Sequence, residues 1–95
     1  MSKVIWTQTA LDDLAGIKQY IARDSMYYAE KFVDDAFQST ERLEVFPESG
    51  RMVPERFRPD FREIIFGSYR IIYKIIDDDV YIVTMIHGKR NYQPE

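Results

Sequence analysis

Ninety-five residues, 45% of them apolar and 15% aromatic, make one domain over 1–95 with enough side-chain volume for a core. There are no cysteines, which excludes disulfide frameworks, Cys-based zinc sites and thiol nucleophiles and fits a reducing, cytoplasmic setting. Net charge is −3, from 13 basic and 16 acidic side chains, against the basic excess usual for a protein that grips a phosphate backbone.

Along the chain the charge is uneven. Residues 1–46 carry five basic and eight acidic side chains, whereas 51–76 carry six basic (Arg51, Arg56, Arg58, Arg62, Arg70, Lys74) and three acidic (Glu55, Asp60, Glu63). A local basic patch on an acidic molecule is one reading, and an ordinary solvated mixture is the other. No apolar run approaches the roughly 20 residues of a membrane helix, and the start, Met1-Ser2-Lys3-Val4-Ile5-Trp6, lacks the long apolar region of a signal peptide. The expectation is a protein that works where it is made, with no membrane partner.

Lys3–Trp6 reads as a short strand. Thr9 is then the expected N-cap of a first helix over 10–23, with Asp12 three residues on in a capping-box spacing. Leu11, Leu14, Ile17 and Ile21 recur at helical spacing. Asp24-Ser25 offers a second cap, before a longer helix over 26–44 whose apolar stripe is Ala29, Phe32, Val33, Ala36, Phe37, Thr40 and Leu43. So short a connection predicts an antiparallel helical hairpin, and the aromatic stripe is the helix face that packs on a sheet.

Pro47-Glu48-Ser49-Gly50 ends the helix, and 51–59 is expected to be a loop. Three β-branched and aromatic runs follow: 62–66, 69–76 and 80–87, separated by Gly67-Ser68 and by Asp77-Asp78-Asp79. Connections of this length make consecutive antiparallel strands. Three sequential aspartates belong in solvent, since they cannot converge on one ion without other ligands; no metal site is expected. The fold class is α+β, in the order β-α-α-β-β-β, with an antiparallel helical hairpin on one face of a mainly antiparallel sheet.

Alternation in 69–76 places Arg70, Ile72, Lys74 and Ile76 on one face and Tyr69, Ile71, Tyr73 and Ile75 on the other. Both faces are apolar, so the strand is central, and an arginine inside it needs either a carboxylate, for which Glu63 is the candidate, or a groove to line. A turn at Asp78-Asp79 would set Arg70 opposite His87 and Lys74 opposite Val83; a register one residue different would set Tyr69 opposite His87 and move the histidine to the other face. In the first register Arg70, His87 and Arg62 gather near a sheet edge, with Arg90 in reach. A neutral imidazole among arginines suits base chemistry at a phosphodiester. No Gly-rich phosphate loop, metal-ligand spacing or Ser/His/Asp set is present, so neither cofactor nor small-molecule substrate is expected.

These segments resemble the RelE/ParE toxins over essentially the whole chain. The similarity is carried by Trp6-Thr7 with Ala10, Asp13-Leu14 and Tyr20-Ile21-Ala22, by Pro47 to Glu55, by Arg62-Glu63-Ile64, by Tyr69 to Tyr73, and by His87-Gly88-Lys89-Arg90. The resemblance implies the growth-inhibiting toxin of a type II toxin–antitoxin pair, held inactive by a cognate antitoxin. RelE-like members cut mRNA on the ribosome and ParE-like members inhibit DNA gyrase; a shared fold does not choose between them. A ribonuclease would use Arg62, Arg70, Arg90 and His87. Target or antitoxin contacts would fall to Arg51, Arg62, Arg70, Lys74, Lys89, Arg90 and Tyr92. Two departures from the RelE pattern count: Ile64 stands where a second basic residue is expected, and the segment carrying the RelE tyrosine is absent or cut short, with Tyr92 as its substitute. Together with the acidic balance they place the chain closer to the ParE-like branch, with a RelE-like endonuclease and an inactive antitoxin-binding module as the alternatives.

Overall fold

The computed structural model describes residues 1–93; residues 94 and 95, with the chain end at Glu95, lie outside the described residues. In order, the elements are β1 (Val4–Trp6), α1 (Gln8–Ala22), α2 (Met26–Glu41), a 3-10 turn (Arg42–Glu44), β2 (Arg51–Met52), β3 (Phe61–Phe66), β4 (Tyr69–Ile76) and β5 (Asp79–His87). The five strands form one sheet in the order β1-β5-β4-β3-β2. Every neighbouring pair is antiparallel except β1 with β5. The α+β fold and the helical hairpin on a mainly antiparallel sheet are as the periodicity predicts.

The elements begin where side chains satisfy the chain ends. Thr7, rather than Thr9, caps α1: its hydroxyl accepts from the Ala10 N–H and donates to the Ile82 carbonyl at 2.7 Å. The cap therefore also ties the helix to β5, which no local capping pattern encodes. Ser25 caps α2 by accepting from Tyr28 N–H. The α-helix ends at Glu41 and tightens into the 3-10 turn, so the expected helix to residue 44 is right in extent and wrong in its last turn. Arg51–Met52 adds a short edge strand where a loop was expected.

The core lies between the hairpin and one sheet face. Ala10, Leu14, Ala36 and Leu43 meet Ile64, Ile71, Tyr73, Val80, Ile82 and Met85. The opposite face carries a smaller cluster of Val53, Phe61 and Ile72, closed by Ile86 and Tyr92. The loop between β2 and β3 thus folds back over the second face, and β4 is covered on both sides.

The last hairpin corrects the expected register. Asp77 and Asp78 both have positive φ, 50° and 68°, and Ile76 pairs with Asp79. The two-residue turn is Asp77-Asp78, one position earlier than expected, in the mirror-image geometry that matches strand twist. That turn sets Lys74 opposite Tyr81, and a bulge beside Ile72/Tyr73 then shifts the pairing beyond it, so that Arg70 faces Ile86 and Tyr69 faces His87. The alternative register is the one the chain adopts, and Arg70 and His87 lie on opposite faces.

Candidate functional site

On the second sheet face the chemistry centres on Arg70, 4% exposed. A guanidinium buried this far is retained only if its donors are used. Nε donates to Glu63 Oε1 at 2.7 Å; Nη1 donates to Glu55 Oε2 at 2.9 Å and to the Arg90 carbonyl at 2.8 Å; Nη2 donates to Glu55 Oε1 at 2.7 Å. The pair with Glu55 is bidentate. Glu63, 1% exposed, also accepts from Arg51 Nε at 2.6 Å. Glu55 completes the network by accepting from Tyr92 N–H at 2.9 Å. Hydrogen bonds from Arg70, and then from Tyr92, hold the Glu55 carboxyl down at about 2, against the opposing effect of its desolvation. The same bonds raise the Arg70 pKa, so the guanidinium is a permanent cation.

Of the two alternatives for Arg70, a carboxylate or a groove, this is the first, with Glu63 as its candidate partner. Glu55 was not foreseen. It sits 15 residues from Arg70 in an irregular loop, where no periodicity marks its direction.

The other arginines are dispersed. Arg62 pairs with Tyr73 across the strands and so lies on the helix side. Its guanidinium, 16% exposed, donates to the Pro59 and Gly50 carbonyls at 2.9 Å and lies 3.7 Å from Glu48. Arg62 and Arg70 therefore do not converge. His87 is exposed, sits edge-to-face with Tyr69 at 5.8 Å and accepts the Lys89 N–H on Nδ1 at 3.2 Å. That leaves Nε2 to carry the proton of its neutral form. His87 and Arg90 do meet, along a groove between α1 and the end of β5 that Asp12, Gly16, Tyr20 and Tyr69 complete. Lys89 lines an adjoining hollow with Ile65 and Gly67, to which Tyr69 and His87 also contribute.

Lys74 extends over the Phe61 ring, 5.4 Å from its centroid, and Arg56 and Arg58 approach the same ring at 4.8 and 5.6 Å. Tyr92 packs on it from the C-terminal segment, 6.2 Å between centroids, and burial raises its phenol pKa. The basic excess of 51–76 is thus largely spent inside the protein: Arg51, Arg58, Arg62 and Arg70 each face a carboxylate. Of the expected nuclease set, His87 and Arg90 line one groove, Arg70 meets Arg90 only through its backbone carbonyl, and Arg62 lies apart on the helix side.

The family model described as ParE toxin of type II toxin-antitoxin system, parDE, matches residues 4–92. The chain is 31% identical over 90 residues to Toxin RelE2 of Caulobacter vibrioides, covering 95% of this chain and 99% of that one. Among solved structures it resembles the chromosomal ParDE TA system from P. aeruginosa, at 20% identity with a TM-score of 0.77 over 94% of this chain and 98% of the other. It also resembles the toxin–antitoxin complex RelBE2 from Mycobacterium tuberculosis, at 24% identity with a TM-score of 0.57 over 90% and 96%. At these identities the structural likenesses speak to the fold. No helix of the described residues is long and apolar enough to cross a membrane.

Proposed function

This chain belongs to the ParE toxin family and is the toxin of a type II toxin–antitoxin system, and from that premise we propose that it inhibits DNA gyrase by binding it, without catalysing a reaction. The observation that carries this reading is the saturation of Arg70. Both Glu55 oxygens, one Glu63 oxygen and a backbone carbonyl occupy its donors, and a phosphate would have to displace a bidentate carboxylate in a largely desolvated site. Arg62 is spent on loop carbonyls on the opposite face, so the charge needed to stabilise a phosphorane-like transition state is not gathered. The net charge of −3 also favours a protein surface over ribosomal RNA as the target.

The contacts fall to exposed members of the expected set. Lys89, Arg90 and Arg51 reach solvent, and Lys74 and Tyr92 do so in part; Arg62 and Arg70 support the surface from beneath. The cognate antitoxin neutralises the toxin through a disordered segment that folds on it, as a helix in a groove or a strand on a sheet edge. The groove between α1 and the end of β5 offers a concavity for the first mode.

The test is plasmid supercoiling. Relaxed plasmid incubated with gyrase and ATP stays relaxed when the folded toxin is added; full supercoiling at high toxin excess would sink the proposal. The 31% identity with a RelE2 toxin favours the second reading, a ribosome-dependent mRNA endonuclease with His87 and Arg90 at the scissile phosphate. Codon-positioned cleavage in a translating extract, lost in His87→Ala, would establish that reading instead.

A further inference from the structure

The loop between β2 and β3 carries a side chain that the fold itself does not use. Arg56 and Phe57 N–H both donate to the Val53 carbonyl at 3.0 Å, closing one helical turn. The chain leaves that turn through Phe57 at φ +53°. Glycine and asparagine enter this left-handed region readily, whereas for a phenylalanine it is a strained conformation. Strain at a buried residue is offset by packing, but Phe57 is 78% exposed and gains nothing from the core.

The segment around it is tightly held. Val53 is fully buried and donates to the Phe61 carbonyl at 3.1 Å; Phe61 N–H donates to Arg58 and Ile75 N–H donates to Asp60. Glu55, two residues before Phe57, is clamped by Arg70. Phe57 is therefore a fixed protrusion whose ordering cost is met before any partner arrives. Its chain neighbour Arg56 lies with Lys74 over the Phe61 ring of the same loop's end, and neither pairs with a carboxylate among the described residues. Arg56 Nε is buried without an acceptor.

We propose that Phe57 is the anchor of a protein-docking knob, flanked by Arg56 and Lys74, and that its partner is an apolar pocket rimmed by carboxylates on the protein this toxin inhibits. The inference rests on the reading that the toxin acts by binding a protein. An aromatic ring beside an arginine is the composition of an interface hot spot, and two free cations on a chain of net charge −3 are too few for a phosphate backbone.

Phe57→Asn tests this, because asparagine accepts the backbone conformation and removes the ring. The variant melts at or above the wild-type temperature, yet at matched expression in cells without antitoxin at least about tenfold more protein is needed to arrest growth. Arg56→Gln/Lys74→Gln weakens inhibition in the same direction. Wild-type arrest with equal arrest by Phe57→Asn overturns the knob and leaves the proposed function standing. A folded wild type that arrests nothing overturns the proposed function and the knob with it. A Phe57→Asn variant that melts well below wild type reassigns the ring to folding. Phe57-dependent binding of a labelled single-stranded oligonucleotide, read by fluorescence anisotropy, assigns the ring to base stacking and overturns the protein partner.

Discussion

Arg70 and Glu55, 15 residues apart in sequence, meet through two hydrogen bonds of 2.9 and 2.7 Å and so fasten the β2–β3 loop onto the middle strand of the sheet. The same guanidinium holds the Arg90 carbonyl, and the same carboxylate holds the Tyr92 N–H. Loop and C-terminal segment are therefore secured by one ion pair. It explains how a chain this short covers both faces of β4: the smaller cluster of Val53, Phe61 and Ile72 exists only because the loop is drawn over it.

Arg70→Ala leaves Glu63, 1% exposed, without its buried cation. Removing one partner of a buried pair costs about 3–5 kcal/mol, much of what a domain of this size has to lose. Urea denaturation is expected to show a loss of that order, with toxicity falling in step. Arg70→Met/Glu63→Leu removes the buried Arg70–Glu63 pair but leaves Glu55 and Arg51 without their partners, so it recovers only part of the loss. A fully stable Arg70→Ala that is inactive would instead point to a direct role for Arg70 in function.

Acid should loosen the same fastening. Glu55 is held at about 2 against an ordinary 4.5, chiefly by the Arg70 hydrogen bonds. A depressed carboxyl binds fewer protons folded than unfolded, so its stabilisation is complete above its unfolded pKa and is lost as pH falls towards the folded one. The melting-temperature difference between wild type and Glu55→Gln should be constant above about pH 5 and shrink steadily between 4.5 and 2. A difference that stays flat through that window would show that the charge on Glu55 contributes nothing.

Much of this architecture is legible in single residues. The strand 69–76 begins and ends where its alternation says, because burial on both faces makes six of its eight positions apolar or aromatic, with Arg70 paired and Lys74 laid over Phe61. Arg70 stands out for the same reason: a cation in such a strand needs a carboxylate or a groove, and its identity alone does not choose between them. The register of the last hairpin was harder to read. Three consecutive aspartates serve equally well as turn residues, and one bulge residue reverses the face of everything beyond it. Moving the turn by one aspartate slides the pairing by two and keeps the faces, so the bulge alone decides whether His87 joins Arg70 or Tyr69. Glu55 and Phe57 were hidden because an irregular loop has no period to carry direction, and positive φ at a phenylalanine leaves no trace in its identity.

The choice of cap on α1 gives a direct comparison. Thr7 and Thr9 are equally good capping residues by type, but Thr7 alone also donates to Ile82. Thr7→Ala should cost about 1–2 kcal/mol and loosen the junction with β5. Thr9→Ala, within the first turn and exposed, should stay within about 0.5 kcal/mol of wild type. Equal losses in thermal denaturation would mean that helix propensity, and not the cap, sets the effect.

Tyr73 and Gly50 offer a test of coupling at the start of the same loop. The Tyr73 hydroxyl, buried at the edge of the core, donates to the Pro47 carbonyl at 2.7 Å and accepts from the Gly50 N–H at 3.0 Å. Burial raises the phenol pKa, so the group is a neutral donor under all ordinary conditions. Tyr73→Phe strands both backbone groups, at about 1–3 kcal/mol. Gly50→Ala would place a Cβ 2.6 Å from the Tyr73 hydroxyl and 2.6 Å from the Glu63 carbonyl, an overpacking that costs about 1–3 kcal/mol. The two losses should not add. Deleting the hydroxyl removes one of three clashes, the Tyr73 ring carbon Cε1 at 2.8 Å and the Glu63 carbonyl remaining, so the double variant is expected to be more stable than the sum of the single variants implies, by about 0.5 kcal/mol or more. Strict additivity in a double-mutant cycle would mean that the hydroxyl adds nothing to the clash, and that the Glu63 backbone and the ring carbon of residue 73 set the whole cost.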